Sequence, residues 1–222
     1  MSIKSQIACV RAILPAEVEL VAVSKMHPVE AVWEAYNAGQ RIFGESRPQE
    51  LVAKYEALPK DILWHMIGHL QGNKVRSILP FISLIHSVDS ARLLETIQKE
   101  AERIDRTVDI LLEIHVAAEE TKTGWDYEEL LAWMDSGALK TLQHVRIRGV
   151  MGIATNTDDE KVVRRDFETL RGYKENLAPR FGADFNILSM GMSGDYPLAI
   201  DCGSTMVRVG SLIFGERDYG VK

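Results

Sequence analysis

Leu20-Val21-Ala22-Val23-Ser24-Lys25 holds four apolar residues without alternation, then a hydroxyl, then an ammonium. A continuous apolar run of this length predicts a strand buried on both faces, as in a parallel sheet. Met26-His27-Pro28 ends it, because proline has no N–H for a ladder and biases the residue before it towards extended geometry. Val29 to Ala38 then reads as a helix, with Gly39 as its cap. Lys25 therefore falls at the carboxyl end of a buried strand, where open α/β sheets and α/β barrels place their ligands. Partial desolvation there lowers the pKa of an ammonium and frees the amine as a nucleophile. Two readings of Lys25 stand at this point. It is a Schiff-base lysine, or it snorkels its head out of the strand end.

The strand-then-helix unit recurs in both directions from this stretch. Apolar residues at Ile3, Ile7, Val10, Ile13 and Leu14 predict a helix over Ser2 to Leu14 that covers one end or side of the fold. Later strands are expected at Arg41 to Glu45, Leu63 to Gly68, Leu84 to Val88, Val108 to Val116, Val145 to Ile153, Phe185 to Met190 and Met206 to Val209. Helices are expected between them: Glu50 to Leu58, one ending near Leu79, one capped by Asp89 or Ser90, Tyr127 to Met134, Asp158 to Leu177 and Tyr196 to Ile200. Eight such units at near-even spacing predict an α/β fold, a single (β/α)8 barrel over residues 1–222 with an extra N-terminal helix. A doubly wound open sheet is the alternative. It lacks its usual dinucleotide signal, since Ser24 to Pro28 contains no glycine.

The 222 residues suffice for a full core, and 46% hydrophobic with 26% charged residues is an ordinary globular balance. A net charge of −6 gives no basic footprint, so nucleic acid is not an expected partner. Cys9 and Cys202 offer neither a disulfide framework nor a metal spacing and fit a reducing compartment. The N-terminal stretch is too broken by charge for a signal peptide, and no run approaches the length of a membrane span. The expectation is a cytoplasmic protein.

In a barrel the loops after all eight strands converge on one face, and the last two often build a phosphate site. Gly191-Met192-Ser193-Gly194-Asp195 and Arg208-Val209-Gly210-Ser211 suit that role, because glycine lets backbone approach an anion and the hydroxyls of Ser193 and Ser211 add donors. A lysine after strand one and a phosphate cradle after strands seven and eight face the same mouth. One small ligand with an aldehyde and a phosphate would meet both. Pyridoxal 5′-phosphate leads, and phosphorylated sugars, as in Schiff-base aldolases, are the other class. The aldolase reading fits less well, since those enzymes use a mid-barrel lysine beside a carboxylate.

Seven ordered motifs carry a resemblance to a known family: LVAVSK ending at Lys25, GQRIFGE at Glu45, WHMIGHLQGNK at Lys74, EETKTG at Gly124, RGVMGI at Ile153, LSMGMSGD at Asp195 and GSTMVRVGSLIFGERDY at Tyr219. With these the chain resembles the pyridoxal phosphate homeostasis proteins, themselves similar to the barrel domain of alanine racemase. The resemblance implies that Lys25 forms the internal aldimine. It implies that Ser193 binds the phosphate with the backbone N–H groups of Gly210 and Ser211, and that Arg208 faces the pyridine nitrogen. A cationic arginine cannot accept a proton, so the ring stays a poorer electron sink. His65 matches a family position on strand three and approaches the ring if it points inward; otherwise it is a satisfied core histidine. Glu45 and Ser46 are expected near the same mouth. Many relatives carry Asn-Tyr where this chain has Ser46-Arg47, and an asparagine where it has His115. Gln71, Asn73, Lys74 and His115 are read as rim residues, and the pairs Asp158-Asp159 and Glu119-Glu120 as a helix start and a solvated loop.

Two functions follow from the resemblance. The first is a monomeric carrier that stores pyridoxal phosphate or delivers it to apo-enzymes that use it. The second is an amino-acid racemase. A racemase of this barrel needs a base on each face of its substrate adduct, and in alanine racemase a tyrosine of a partner subunit's β-domain supplies the second. This chain is expected to lack that domain, because it ends at Lys222 just after strand eight. Tyr196 and Tyr219 remain as tyrosines that nothing places above the ring. The carrier is the preferred expectation.

Overall fold

Each apolar run of the sequence becomes one stave of a closed parallel barrel in the computed structural model, which describes residues 2–216. The strands are β1 (Glu19–Val23), β2 (Ile42–Glu45), β3 (Leu63–Met66), β4 (Leu84–Val88), β5 (Val108–Glu113), β6 (Val145–Met151), β7 (Ile187–Ser189) and β8 (Met206–Val209). They pair in chain order, and β8 closes on β1 with Val21 opposite Arg208 and Ala22 opposite Val209. The helices are α1 (Ile3–Ile13), α2 (Val29–Asn37), α3 (Pro48–Ala57), α4 (Gly72–Ile78), α5 (Ala91–Arg103), α6 (Tyr127–Asp135), α7 (Glu160–Leu177), α8 (Tyr196–Asp201) and α9 (Ser211–Phe214). The eight-unit barrel stands, and the open-sheet alternative falls.

Continuous apolar strands are buried on both faces, which divides the core in two. Val21, Leu84, Leu111, Met151 and Met206 form a layer inside the barrel. Phe43, Trp64, Ile85, Ile110 and Val150 face outward into the shell between strands and helices. Alternation along each strand gives the two sets. Alpha-helical start signals hold where they are chemical: Ser90 Oγ accepts the Leu93 N–H, and Asp159 accepts the Lys161 N–H. Helix α1 packs against α2 and α9, so it covers the side of the barrel where β1 meets β8.

Strand β5 stops at Glu113, three residues earlier than its apolar run suggests. The chain instead pairs locally with Trp125: the Trp125 N–H donates to the Glu113 carbonyl at 2.7 Å and the His115 N–H to the Trp125 carbonyl at 3.0 Å. Gly149 sits where the β5–β6 register shifts, with φ +154°. An added Cβ there would lie 1.9 Å from the Ile187 carbonyl oxygen, so only glycine allows β7 this close.

Candidate functional site

Lys25 follows β1 by two residues and is half-buried. The alternation Val21, Val23, Lys25 assigns it to the inward set of its strand. The turn from Ser24 to His27 closes with the His27 N–H on the Ser24 carbonyl at 3.1 Å. Its third residue, Met26, has φ +64°, a left-handed conformation that costs a side-chain-bearing residue about 1–2 kcal/mol.

The loops after β7 and β8 meet beside that turn. The Gly210 N–H donates to Ser193 Oγ at 3.2 Å, joining the two loops directly. Gly210 lies against β1: a Cβ on it would stand 3.1 Å from the Val23 carbonyl oxygen and 3.3 Å from Val23 Cβ. Ser211 begins α9, so its N–H belongs to the helix start that has no intrahelical acceptor. The ring of His27, two residues past Lys25, stacks on Phe214 of α9 with centroids 5.1 Å apart. Ser193, Gly210 and Ser211 thus share one corner of the mouth with the lysine turn. An amine and a set of hydroxyl and backbone N–H donors in one corner suit a small carbonyl compound that carries a phosphate. Tyr196 is elsewhere, the first residue of α8 and buried in the shell core, and Tyr219 lies outside the described residues.

Below the mouth, a polar chain crosses the barrel interior. The Arg208 guanidinium donates to the Ser189 carbonyl at 2.8 Å, to Ser189 Oγ at 2.7 Å and to the Gly152 carbonyl at 3.0 Å. Ser189 Oγ lies 3.0 Å from His86 Nδ1, and His86 Nε2 lies 3.0 Å from His65 Nδ1. All four side chains are buried. Burial pushes His65 down to about 3 and, with the neighbouring His65 and Arg208, pushes His86 well below the ordinary imidazole value. Burial also lowers Arg208 to about 10, which leaves it cationic at neutral pH. His65 is therefore both inward-pointing and hydrogen-bonded, a neutral imidazole one layer below the mouth.

The sequence readings did not single out His86, Ser189 or Glu113, although each lies on the inward set of its strand, as His86 does two residues beyond Leu84. Glu113 is buried, accepts Thr123 Oγ1 at 2.9 Å and is pushed up by burial. At β2 the expectation for Glu45 is corrected. Glu45 does not face the mouth; it is wholly buried behind the barrel wall, 2.7 Å from Lys54 Nζ of α3. Strand alternation turns Glu45 outward and assigns the half-buried Ser46 to the inward set, with Gly68 packed on its backbone. Gln71 and Asn73 are exposed, and Lys74 is half-buried at the start of α4. His115 is half-buried, with Nε2 2.9 Å from the Glu119 carbonyl, and Glu119 pairs with Lys122 at 2.9 Å. Among the described residues no group of three or more His, Cys, Asp or Glu could hold a metal ion, and no helix is long and apolar enough to cross a membrane.

Comparison with known proteins adds to this geometry. Residues 1–218 match the model of the alanine racemase N-terminal domain family. A pyridoxal phosphate homeostasis protein of Aquifex aeolicus is 40% identical over 202 residues, covering 90% of this chain and 88% of that protein. The structure of PipY from Synechococcus elongatus with pyridoxal phosphate bound aligns with a TM-score of 0.87 at 39% identity, covering 96% of this chain and all of that one. An alanine racemase of Clostridium difficile shares the fold alone, with a TM-score of 0.78 at 14% identity; the match covers 97% of this chain and 56% of the racemase.

Proposed function

We propose, for a chain that belongs to the family of pyridoxal phosphate homeostasis proteins, that it holds pyridoxal 5′-phosphate on Lys25 and passes it on without turning it over. The observation that carries this reading is the shared corner of the mouth. The lysine turn, Ser193 Oγ and the Gly210 N–H lie on adjoining loops, and Gly210 packs on Val23 of the lysine's own strand. When bound, the cofactor supplies an aldehyde that condenses with a primary amine with loss of water.

The protein's own residues do the rest. Lys25 offers the amine. Ser193, Gly210 and Ser211 take the phosphate through one hydroxyl and the N–H groups at the start of α9. Arg208, a cation with no proton-accepting atom, would face the pyridine nitrogen and keep it from gaining a proton. His65 forms the floor, and Ser46 lines the wall beside it. The donor set fits the group: it offers one amine, several donors for a dianion, and a cation that stays charged.

A carrier is favoured over a racemase by two observations. The relatives are named for homeostasis, not for a reaction. Tyr196, which could have been a second base, is buried in the shell. We assign the carrier one barrel domain over residues 1–222, a monomeric state, a cytoplasmic location and apo-enzymes that need the cofactor as recipients.

The deciding experiment is the visible spectrum of the purified protein with added pyridoxal phosphate, before and after borohydride, followed by peptide mapping. A yellow band that borohydride fixes onto the Lys25 peptide supports the reading. A protein that stays colourless, or in which Lys25→Ala binds unchanged, overturns it. Saturable α-proton exchange on an amino acid, dependent on Lys25, replaces the carrier with the racemase.

A further inference from the structure

A cluster of charges lies behind the barrel wall, out of reach of the mouth. Lys54 Nζ of α3 sits 2.7 Å from Glu45 Oε1 and 2.8 Å from Glu50 Oε1. The Lys54 side chain is 4% exposed, Glu45 0% and Glu50 21%. Ser24 Oγ donates to the same Glu45 oxygen at 2.6 Å. Ion pairs this deep are weak sources of stability, because desolvation consumes most of the attraction and an apolar cluster would pack as well. Their placement therefore calls for another explanation.

The cluster grips the two peptide groups that flank Lys25. Lys54 Nζ donates to the Ser24 carbonyl at 2.7 Å, on the peptide before the lysine. Glu50 Oε1 accepts the Met26 N–H at 2.6 Å, on the peptide after it. Met26 is the strained residue of the turn, at φ +64°. A non-glycine residue keeps such a conformation only where its surroundings over-determine it. Here the surroundings are a salt bridge whose two ends each hold one side of the turn.

We propose that Glu50 and Lys54 are positioning residues that set the direction of the Lys25 amine by clamping both flanking peptides. This rests on the reading of Lys25 as the point of attachment. Without the Glu50 oxygen the turn relaxes to release the strain at Met26, and the amine leaves the corner it shares with Ser193 and Gly210. The donors for the phosphate are on other strands and stay where they are.

The test compares two ligands on the whole chain. Pyridoxal 5′-phosphate can attach to an amine; pyridoxine 5′-phosphate, with an alcohol in place of the aldehyde, cannot. Glu50→Ala leaves Lys54 and Glu45 as a neutral pair. It should weaken pyridoxal phosphate binding about tenfold, the equivalent of releasing one strained residue, and leave pyridoxine phosphate within about twofold. Glu50→Gln keeps an oxygen for the Met26 N–H and should restore the wild-type ratio of the two affinities. Met26→Val, whose branched side chain resists positive φ, should give the same selective loss with the cluster intact. Equal losses for both ligands, no loss for either, or a Glu50→Gln that behaves like Glu50→Ala overturns the inference alone. A wild-type protein that binds pyridoxine phosphate but never attaches pyridoxal phosphate overturns the function as well.

Discussion

Ser193 Oγ accepts the backbone N–H of Gly210 at 3.2 Å, so the loops after β7 and β8 are one structure at the mouth. A phosphate placed there would compete for that N–H and gain the hydroxyl as a second donor. Ser193→Ala removes one hydrogen bond to a charged group, a loss of about 1.5–3 kcal/mol. Gly210→Ala puts a Cβ 3.1 Å from the Val23 carbonyl oxygen, so the loop must shift by a few tenths of an ångström against β1. The two changes together should weaken pyridoxal phosphate binding far more than binding of pyridoxal, as measured by titration of the visible band. Comparable losses for the two compounds would rule out a phosphate cradle at this corner.

The buried pair His65 and His86 makes stability sensitive to acid. Both imidazoles titrate below their ordinary value of 6.5 in the folded chain, His65 at about 3. Below pH 6.5 the unfolded chain takes up protons that the folded chain refuses, so stability is fully present above that pH and falls as pH drops. Each histidine contributes about 1.4 kcal/mol per pH unit within its window. Glu45 acts with the opposite sign. Burial raises it from 4.5 to about 6, so the folded chain binds its proton first and gains stability as pH falls from 6 to 4.5. That gain offsets about one histidine, and burial of Glu113 adds to the offset. The offset ends once the unfolded carboxylates have protonated near 4.5, so the net loss should be steepest between pH 4.5 and about 3. Urea unfolding at closely spaced pH values reads it directly, and a stability that rises across that interval would contradict a neutral buried pair.

The fold was readable because buried parallel strands are runs of apolar residues and the helices between them carry chemical caps. The same property hides which way a side chain points. Where both faces of a strand are buried, alternation is invisible, so Glu45 could be placed at the end of β2 but not on its outer side. His65 and His86 meet only through the pairing of β3 with β4, and one strand's sequence says nothing of its neighbour's register. Lys54 sits in an ordinary helical stretch, PQELVAKYEA, and reads as a solvated charge. Its partners, Ser24 just past β1 and Glu45 on β2, lie 30 and 9 residues away. That Lys25, Ser193 and Gly210 lie at one mouth was legible because their positions follow from local signals: a strand end, a glycine turn and a helix start.

Gly149 should tolerate no side chain. It joins φ +154° to a carbonyl oxygen 1.9 Å from where a Cβ would stand, and the oxygen is backbone of β7. Gly149→Ala must open the β6–β7 seam at its paired position, Ile187. The loss should exceed about 4 kcal/mol, the range reached by strained backbone and broken packing together. Gly172, with open space around it on α7, serves as the control: Gly172→Ala should raise stability by about 0.5–1 kcal/mol. Equal denaturation midpoints for the two variants would contradict the close approach.

Arg208 should prove to be structural and electrostatic at once. Its guanidinium supplies donors to the Ser189 carbonyl, Ser189 Oγ and the Gly152 carbonyl across the interior of the barrel. Arg208→Met keeps the length and apolar bulk but removes three hydrogen bonds: the Ser189 carbonyl keeps the Gly152 N–H and Ser189 Oγ keeps His86, while the Gly152 carbonyl loses its guanidinium donor, at about 1–3 kcal/mol for a buried group left unpaired. Stability at pH 7 should therefore fall, and the urea midpoint measures by how much. The second consequence has the opposite sense. The Arg208 charge helps hold His86 well below its ordinary value, so removing the charge lets His86 titrate closer to 6.5. The gap between folded and unfolded states then narrows, and the variant should lose less further stability than wild type when acidified past the pH at which folded His86 takes up its proton. A variant as stable as wild type at pH 7 would deny the donor role. One that loses stability more steeply on acidification would deny that the guanidinium and the imidazole interact through charge.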